Sequence, residues 1–264
     1  MYNLKSTNRC HLFELISEYV WDSIVHNHKY KTHKHEVGIT SDIIALIRSH
    51  ADLNHNFGVW SNASISEDKY GADIDLFVET NTNEFIWYAL QAKVLKMDGA
   101  YERLSSKSQW EKLTKLKKNS GCIPFFLFYN GVNRPVKKLA DCCGHDINEK
   151  QFGCSIVSIK DVKDVASEIH RPKYSDFCTK YMHPWRELVC CDVKRKNGTI
   201  YSLPEVQDAV ALYERVLNFD ILRRGSTKQR TIKNDLSIAS LNEIYGRVPD
   251  YNFVVRSAAG LNQN

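Results

Sequence analysis

The sequence predicts an α/β chain: a central mixed β-sheet flanked by helices over residues 1–170, followed by an α+β extension over 171–264. Three observations carry that expectation. Apolar residues recur at helical spacing between residues 10 and 50. Four segments rich in Val, Ile, Phe, Tyr and Trp follow, the residues that favour strands. A polar, lysine-rich stretch then separates the third segment from the fourth, as a helix crossing over between parallel strands does.

Over 10–28, Leu12, Phe13, Ile16, Tyr19, Val20 and Ile24 share one helical face. A second helix is expected over 41–50, with Thr40, Ser41 or Asp42 able to cap it and Ile43, Ile44, Leu46 and Ile47 as its buried stripe. Glu36 falls in the junction before that helix. Strands are expected over 57–64, 72–79, 85–95 and 123–129, and the Asn-Thr-Asn at 81–83 supplies turn chemistry that makes the second and third a hairpin. A polar helix over 101–119 crosses to the fourth strand, whose apolar run CIPFFLFYN suits a strand covered on both faces. A helix over 135–143, a strand over 154–159 and a helix over 161–169 complete the core. In the extension, VKRKNGTIYSL reads as a hairpin because Asn197-Gly198 is the preferred type I′ turn pair. A helix over 203–219 follows, then a stretch at 222–233 with five basic residues and no acidic one, and a frayed end, SAAGLNQN.

Composition narrows the class. At 264 residues, 43% hydrophobic and 25% charged, the chain can bury a substantial core and is not of the disordered type. A net charge of +5 mildly favours an anionic partner. No apolar run approaches the roughly 18 residues of a membrane span, and polar residues interrupt the N-terminus where a signal peptide needs an apolar stretch. A cytoplasmic protein is expected, with its eight cysteines mostly reduced. None of them forms a C-x-x-C knuckle; Cys142, Cys143 and His145 lie close together, but buried free cysteine is an ordinary core residue, so no zinc site is expected.

The stretch GADIDLFVETNTNEFIWYALQAKVL departs from an ordinary apolar hairpin. Residues two apart in a strand share a face and sit roughly 6–7 Å apart, so Asp73 and Asp75 can point one way, and Gln91 and Lys93 likewise on the neighbouring strand. If those faces coincide, two carboxylates, a carboxamide and an ammonium converge. Clustered carboxylates need compensating positive charge, which Lys93 and a divalent cation such as Mg²⁺ can supply.

This pattern resembles the PD-(D/E)XK nuclease superfamily, whose core carries an acidic residue on one strand and (E/Q)-x-K on the next, with an upstream helical glutamate. Gly71-Ala72-Asp73 with Asp75 stands for the first element, Gln91-Ala92-Lys93 for the second, and Glu36 in HEVGITSD for the third. The resemblance implies a restriction-endonuclease-like core over about residues 36–130. It also implies that Asp73 or Asp75 binds Mg²⁺ or Mn²⁺, that Glu36 completes the site, and that Lys93 orients water or stabilises phosphate charge. Gln91 takes the place most often held by glutamate, and a carboxamide is a weaker ligand for a hard cation; branches with Q-x-K are known, and Glu67 could add a carboxylate. PFFLFYN and HPWRELVCC further resemble a bacterial family with this core. The implied activity is metal-dependent hydrolysis of phosphodiester bonds, in DNA ahead of RNA, in bacterial anti-phage defence or restriction, with a homo-oligomer or a regulatory partner as possible settings. The alternative is an inactive nuclease fold that binds nucleic acid or protein.

Other polar segments have plainer readings. His26, His28, His33 and His35 alternate with lysines and read as a solvated loop outside the site. The crossover region carries Lys96, Arg103 and Lys107, with Lys112, Lys115, Lys117 and Lys118 beyond, and this basic face could lead a phosphate backbone towards the metal. Gln109 joins that set because the resemblance places a glutamine of this helix at the site; Trp110 is expected in the core. Tyr181, Trp185 and Arg186 are residue types of interaction surfaces, and core burial accounts for the two aromatics equally well.

Overall fold

The computed structural model describes residues 9–53, 57–64, 70–81, 84–132, 147–190 and 198–206. Helix α1 (Arg9–Lys29) buries Leu12, Phe13, Ile16, Val20 and Ile24, the expected stripe. Helix α2 (Glu36–Leu53) begins at Glu36 rather than at 41. The reason is local: the Ile39 N–H already donates to the His35 carbonyl at 3.2 Å, so Thr40, Ser41 and Asp42 lie inside the helix instead of capping it. A carboxylate in the first turn also suits the positive end of the helix dipole. Glu36 therefore sits on a rigid element and not in a junction.

The sheet follows. Strands β1 (Val59–Ala63), β2 (Ile74–Asn81) and β3 (Glu84–Val94) pair antiparallel in sequence order, and β2 with β3 is the expected hairpin. Helix α3 (Lys107–Ser120) carries the chain to β4 (Ile123–Tyr129), which pairs parallel to β3. A 3₁₀ turn (Glu149–Gly153), β5 (Cys154–Ser158), α4 (Ile159–Glu168), α5 (Tyr174–Cys178), β6 (His183–Pro184), α6 (Glu187–Cys190) and β7 (Ile200–Ser202) complete the described chain. The strand order is β1-β2-β3-β4-β5-β6, with β7 pairing off that path to β3. The molecule is thus α/β with a mixed sheet.

Both faces of the sheet are covered, as the run CIPFFLFYN requires. Phe125, Leu127 and Tyr129 of β4 enter a core shared with α1 and α2, while Phe126 and Phe128 enter a second core shared with α3 and α4. The 3₁₀ turn presses on α1 so closely that a Cβ at Gly153 would stand 1.9 Å from the Ser17 carbonyl oxygen.

Helix α3 starts at Lys107, not at 101. Tyr101 is buried and stacks on Phe128 with ring centroids 4.4 Å apart, and Arg103 adopts a left-handed backbone with φ 57°, which no continuous helix contains. In the extension, Trp185 and Arg186 are core residues and do not form an exposed interface. The Trp185 indole donates to the Phe13 carbonyl at 2.8 Å, and the Arg186 guanidinium meets Gln151 at 2.9 Å and Glu14 at 3.4 Å. Tyr181 is partly buried.

Strand β7, expected as one arm of a hairpin turning at Asn197-Gly198, pairs with β3, Ile200 opposite Ile86. The expected partner for that hairpin, 193–197, lies outside the described residues. So do 82–83, the helix at 135–143 with Cys142, Cys143 and His145, Glu67, the helix at 203–219 beyond Val206, the basic stretch 222–233 and SAAGLNQN. Cys10 and Cys190, two of the eight cysteines expected to be mostly reduced, are joined in a disulfide, because α6 packs against the start of α1 and brings their Cα atoms to 5.4 Å. Cys122, Cys154 and Cys178 are buried and lie outside that disulfide. No described helix is long and apolar enough to cross a membrane.

Candidate functional site

The candidate residues meet where β2 begins and β3 ends, beside the first turn of α2. Gly71 sets the approach: its φ is +72°, and a Cβ there would stand 3.1 Å from Lys112 Cβ and 3.3 Å from the Gln109 carbonyl oxygen of α3. Asp73 lies just ahead of β2, held from both sides, its N–H donating to the Leu90 carbonyl and its carbonyl accepting from the Ser64 N–H, each at 2.8 Å. The Asp73 carboxylate then accepts from the Ala92 N–H at 2.6 Å and from the Gln91 side-chain amide. Gln91 is fully buried, and its Oε1 has no hydrogen-bond partner among the described residues. An orphaned buried acceptor costs about 1–3 kcal/mol.

Lys93 and Glu36 form the second half of the site. The Lys93 ammonium, on a side chain only 9% exposed, lies 3.6 Å from Glu36 Oε1. A buried cation needs such a partner to offset its desolvation. Close by, the Tyr129 hydroxyl at the end of β4 hydrogen-bonds the Thr40 hydroxyl at 2.9 Å, tying α2 to the sheet. Burial, then the Cys154 thiol and the charges of Asp73 and Glu36, push the Tyr129 hydroxyl well above its ordinary value, against the Thr40 hydrogen bond. It therefore stays protonated beside the two carboxylates.

Asp75 has a partner of its own on the hairpin. It is 2% exposed, and its Oδ1 accepts from the Trp87 indole at 2.9 Å. Its charge also helps raise the Cys122 thiol, which burial first of all pushes up to about 11. Asp73, Asp75 and Glu36 do not make a ready three-carboxylate cluster: among the described residues no group of three or more His, Cys, Asp and Glu is placed to hold a metal ion. The physical reason is that Trp87, diagonal to Asp75 across the hairpin, supplies a neutral donor, and the Asp73 carboxylate is taken up by the end of β3.

Comparison with known sequences supplies a family. A family of unknown function (DUF6615) matches residues 9–251. The chain belongs to the DUF6615 family. No curated protein matches it. All five candidate catalytic residues, Glu36, Asp73, Asp75, Gln91 and Lys93, fall within the span that defines this DUF6615 member.

In the DUF6615 chain the residues expected to contact nucleic acid differ in exposure. Gln109 lies against Gly71 through its backbone. Lys96 meets Glu102 at 3.5 Å, and Arg103 and Lys107 are exposed. Trp110 is partly buried, with its indole nitrogen enclosed and the Lys163 ammonium 5.8 Å from a ring centroid. Of the histidines, His33 and His35 lie in an exposed loop as expected, while His26 and His28 belong to the last turn of α1, and His28 Nε2 lies 3.2 Å from the Leu95 carbonyl oxygen. Sequence reasoning missed Tyr129 and read Thr40 only as a cap. Its one available signal was a tyrosine at the end of the fourth strand, level with the residue after Lys93.

Proposed function

We propose that the chain is a divalent-metal-dependent nuclease acting on phosphodiester bonds, with DNA as substrate. The observation that carries this reading is that α2, the approach to β2 and the end of β3 bring Glu36, Asp73, Gln91 and Lys93 together as two contacting pairs. The donors suit a hard cation, being oxygens throughout, and Gln91 Oε1, on the amide whose nitrogen donates to Asp73, is an acceptor with an unmet need. Asp73 and Gln91 would hold Mg²⁺ or Mn²⁺, with Glu36 paired to Lys93. When bound, the ion supplies Lewis-acid polarisation of the phosphate and a water of lowered pKa.

The chain's own groups do the rest. Glu36 holds the Lys93 ammonium in place, where it can orient a water or meet charge developing on phosphate oxygens. Tyr129 stays neutral and can donate or accept. Asp75 acts as a positioning residue through Trp87. A role in bacterial defence or restriction rests on the sequence resemblance alone. The test is cleavage of DNA in Mg²⁺ by the parent and by Lys93→Ala, with folding checked by thermal melting. Equal cutting by the two proteins removes Lys93 from the chemistry.

A second reading has its own support. The carboxamide at Gln91 and the Trp87-bound Asp75 leave fewer free carboxylates than a metal site usually gathers, which suits a nuclease fold that binds nucleic acid without cutting. Calorimetric titration with Mn²⁺ separates the two readings: DNA binding without metal binding selects this one.

A further inference from the structure

The turn between α1 and α2 and the segment after Lys93 border an open cavity of about 250 Å³. His28, His33, Lys34 and His35 line one side and Lys96 another, over apolar contributions from Val94, Leu95 and Met97. Among the described residues that line it, none is acidic. Both walls run straight into the candidate site, since His35 precedes Glu36 and Val94 follows Lys93. The cavity therefore begins one residue along the chain from each member of the Lys93–Glu36 pair, neither of which lines it.

The lining groups divide by what already holds them. Lys34 is engaged by Asp42 at 2.8 Å, Tyr19 at 3.1 Å and Ser23 at 3.2 Å, so it fixes the turn. His28 ties that wall to the floor through the Leu95 carbonyl. Lys96 faces Glu102 at 3.5 Å with both side chains well exposed; such a screened pair is worth at most about 1 kcal/mol, so the ammonium can exchange partner for a phosphate. His33 and His35 add imidazoles at the exposed rim. Met97 is 45% exposed, an uncovered apolar surface next to these groups. Cationic and imidazole donors over an apolar floor match a phosphate joined to a flat base. The volume lies a little below the roughly 300–1,000 Å³ of sites for larger ligands, which suits one nucleotide.

We infer that this cavity holds one nucleotide of a single DNA strand, phosphate towards His33, His35 and Lys96 and base against the exposed Met97, next to the bond presented to Lys93. The inference rests on the nuclease reading for the last of these points only.

Fluorescence anisotropy with a labelled short oligothymidylate, in EDTA so that no cleavage intervenes, tests it. The parent is expected to bind, and the triple variant His33→Ala, His35→Ala, Lys96→Ala to bind about tenfold or more weakly with an unchanged melting temperature. Met97→Glu, which removes no basic residue, is expected to weaken binding comparably. A parent that does not bind, or either variant binding as tightly as the parent, overturns the cavity assignment. A parallel cleavage assay in Mg²⁺ keeps the readings apart. Binding that depends on the cavity in a parent that does not cut overturns the nuclease reading alone, whereas cutting with an unchanged KM in the variants overturns the cavity alone.

Discussion

The Lys93 ammonium of β3 lies 3.6 Å from the Glu36 carboxylate in the first turn of α2, two residues far apart in sequence that share a charge pair at the end of the sheet. Replacing Glu36 by Gln leaves the ammonium without that partner. A loss of roughly 1–3 kcal/mol is expected, below the 3–5 kcal/mol of a fully buried pair because Glu36 is partly exposed. Lys93→Met in the Glu36→Gln background should recover part of it. Urea unfolding of the four proteins measures the coupling, and strictly additive losses would show that the pair contributes nothing.

Metal binding has a stability signature. A cation that binds only the folded chain adds RT ln(1 + [L]/Kd), about 2.7 kcal/mol at a hundredfold excess over Kd, so Mn²⁺ should raise the melting temperature of the parent. Asp73→Asn should erase most of that rise. Gln91→Glu, which places a second carboxylate beside Asp73, should enlarge it and lower apo stability through repulsion. A rise that survives Asp73→Asn places the ion elsewhere.

Asp75 and Trp87 allow a contrast with Asp73. Trp87→Phe removes the indole donor from a buried carboxylate and should cost about 1–3 kcal/mol. Asp75→Asn keeps an acceptor for the indole and should leave the Mn²⁺ shift largely intact. Differential scanning calorimetry of both variants with and without Mn²⁺ decides the matter; abolition of the shift by Asp75→Asn would return Asp75 to the ligand set.

Gly71→Ala should destabilise the chain by about 1–3 kcal/mol, because a side chain at φ +72° is strained and its Cβ would press on α3. Gly99→Ala is the control: its φ is +77°, but nothing stands within 4 Å of a Cβ there. Equal losses at both positions would mean that backbone strain accounts for the whole effect and the approach to Gln109 for none.

Burial, together with the His33 charge, lowers the His28 imidazole below its ordinary 6.5, against the hydrogen bond to Leu95. The folded chain then binds fewer protons here than the unfolded chain. This contribution to stability is complete above pH 6.5 and is lost as pH falls through the lowered folded value. Melting curves across that window should show a smaller acid loss for His28→Gln than for the parent, and an equal or larger loss would contradict the assignment.

Local periodicity made much of this protein legible. The apolar stripe of α1, the β2–β3 hairpin, the run buried on both faces of β4 and the crossover between β3 and β4 all follow from spacings of two or 3.6 residues, which act within one element. The same rule brought Asp73, Gln91 and Lys93 into view. It could not decide where each side chain finds its partner. Asp75 shares the spacing of Asp73, yet the Trp87 indole takes one of its oxygens; Lys93 meets Glu36 only because α2 begins a turn early; and Tyr129 reaches the site from a third element. The Cys10–Cys190 link, the β3–β7 pairing and the cavity that begins after Lys93 likewise join segments far apart in the chain. Spacing sets which way a residue faces on its own element, but the donor or charge it meets is set by packing between elements, and that information exists only in the tertiary structure.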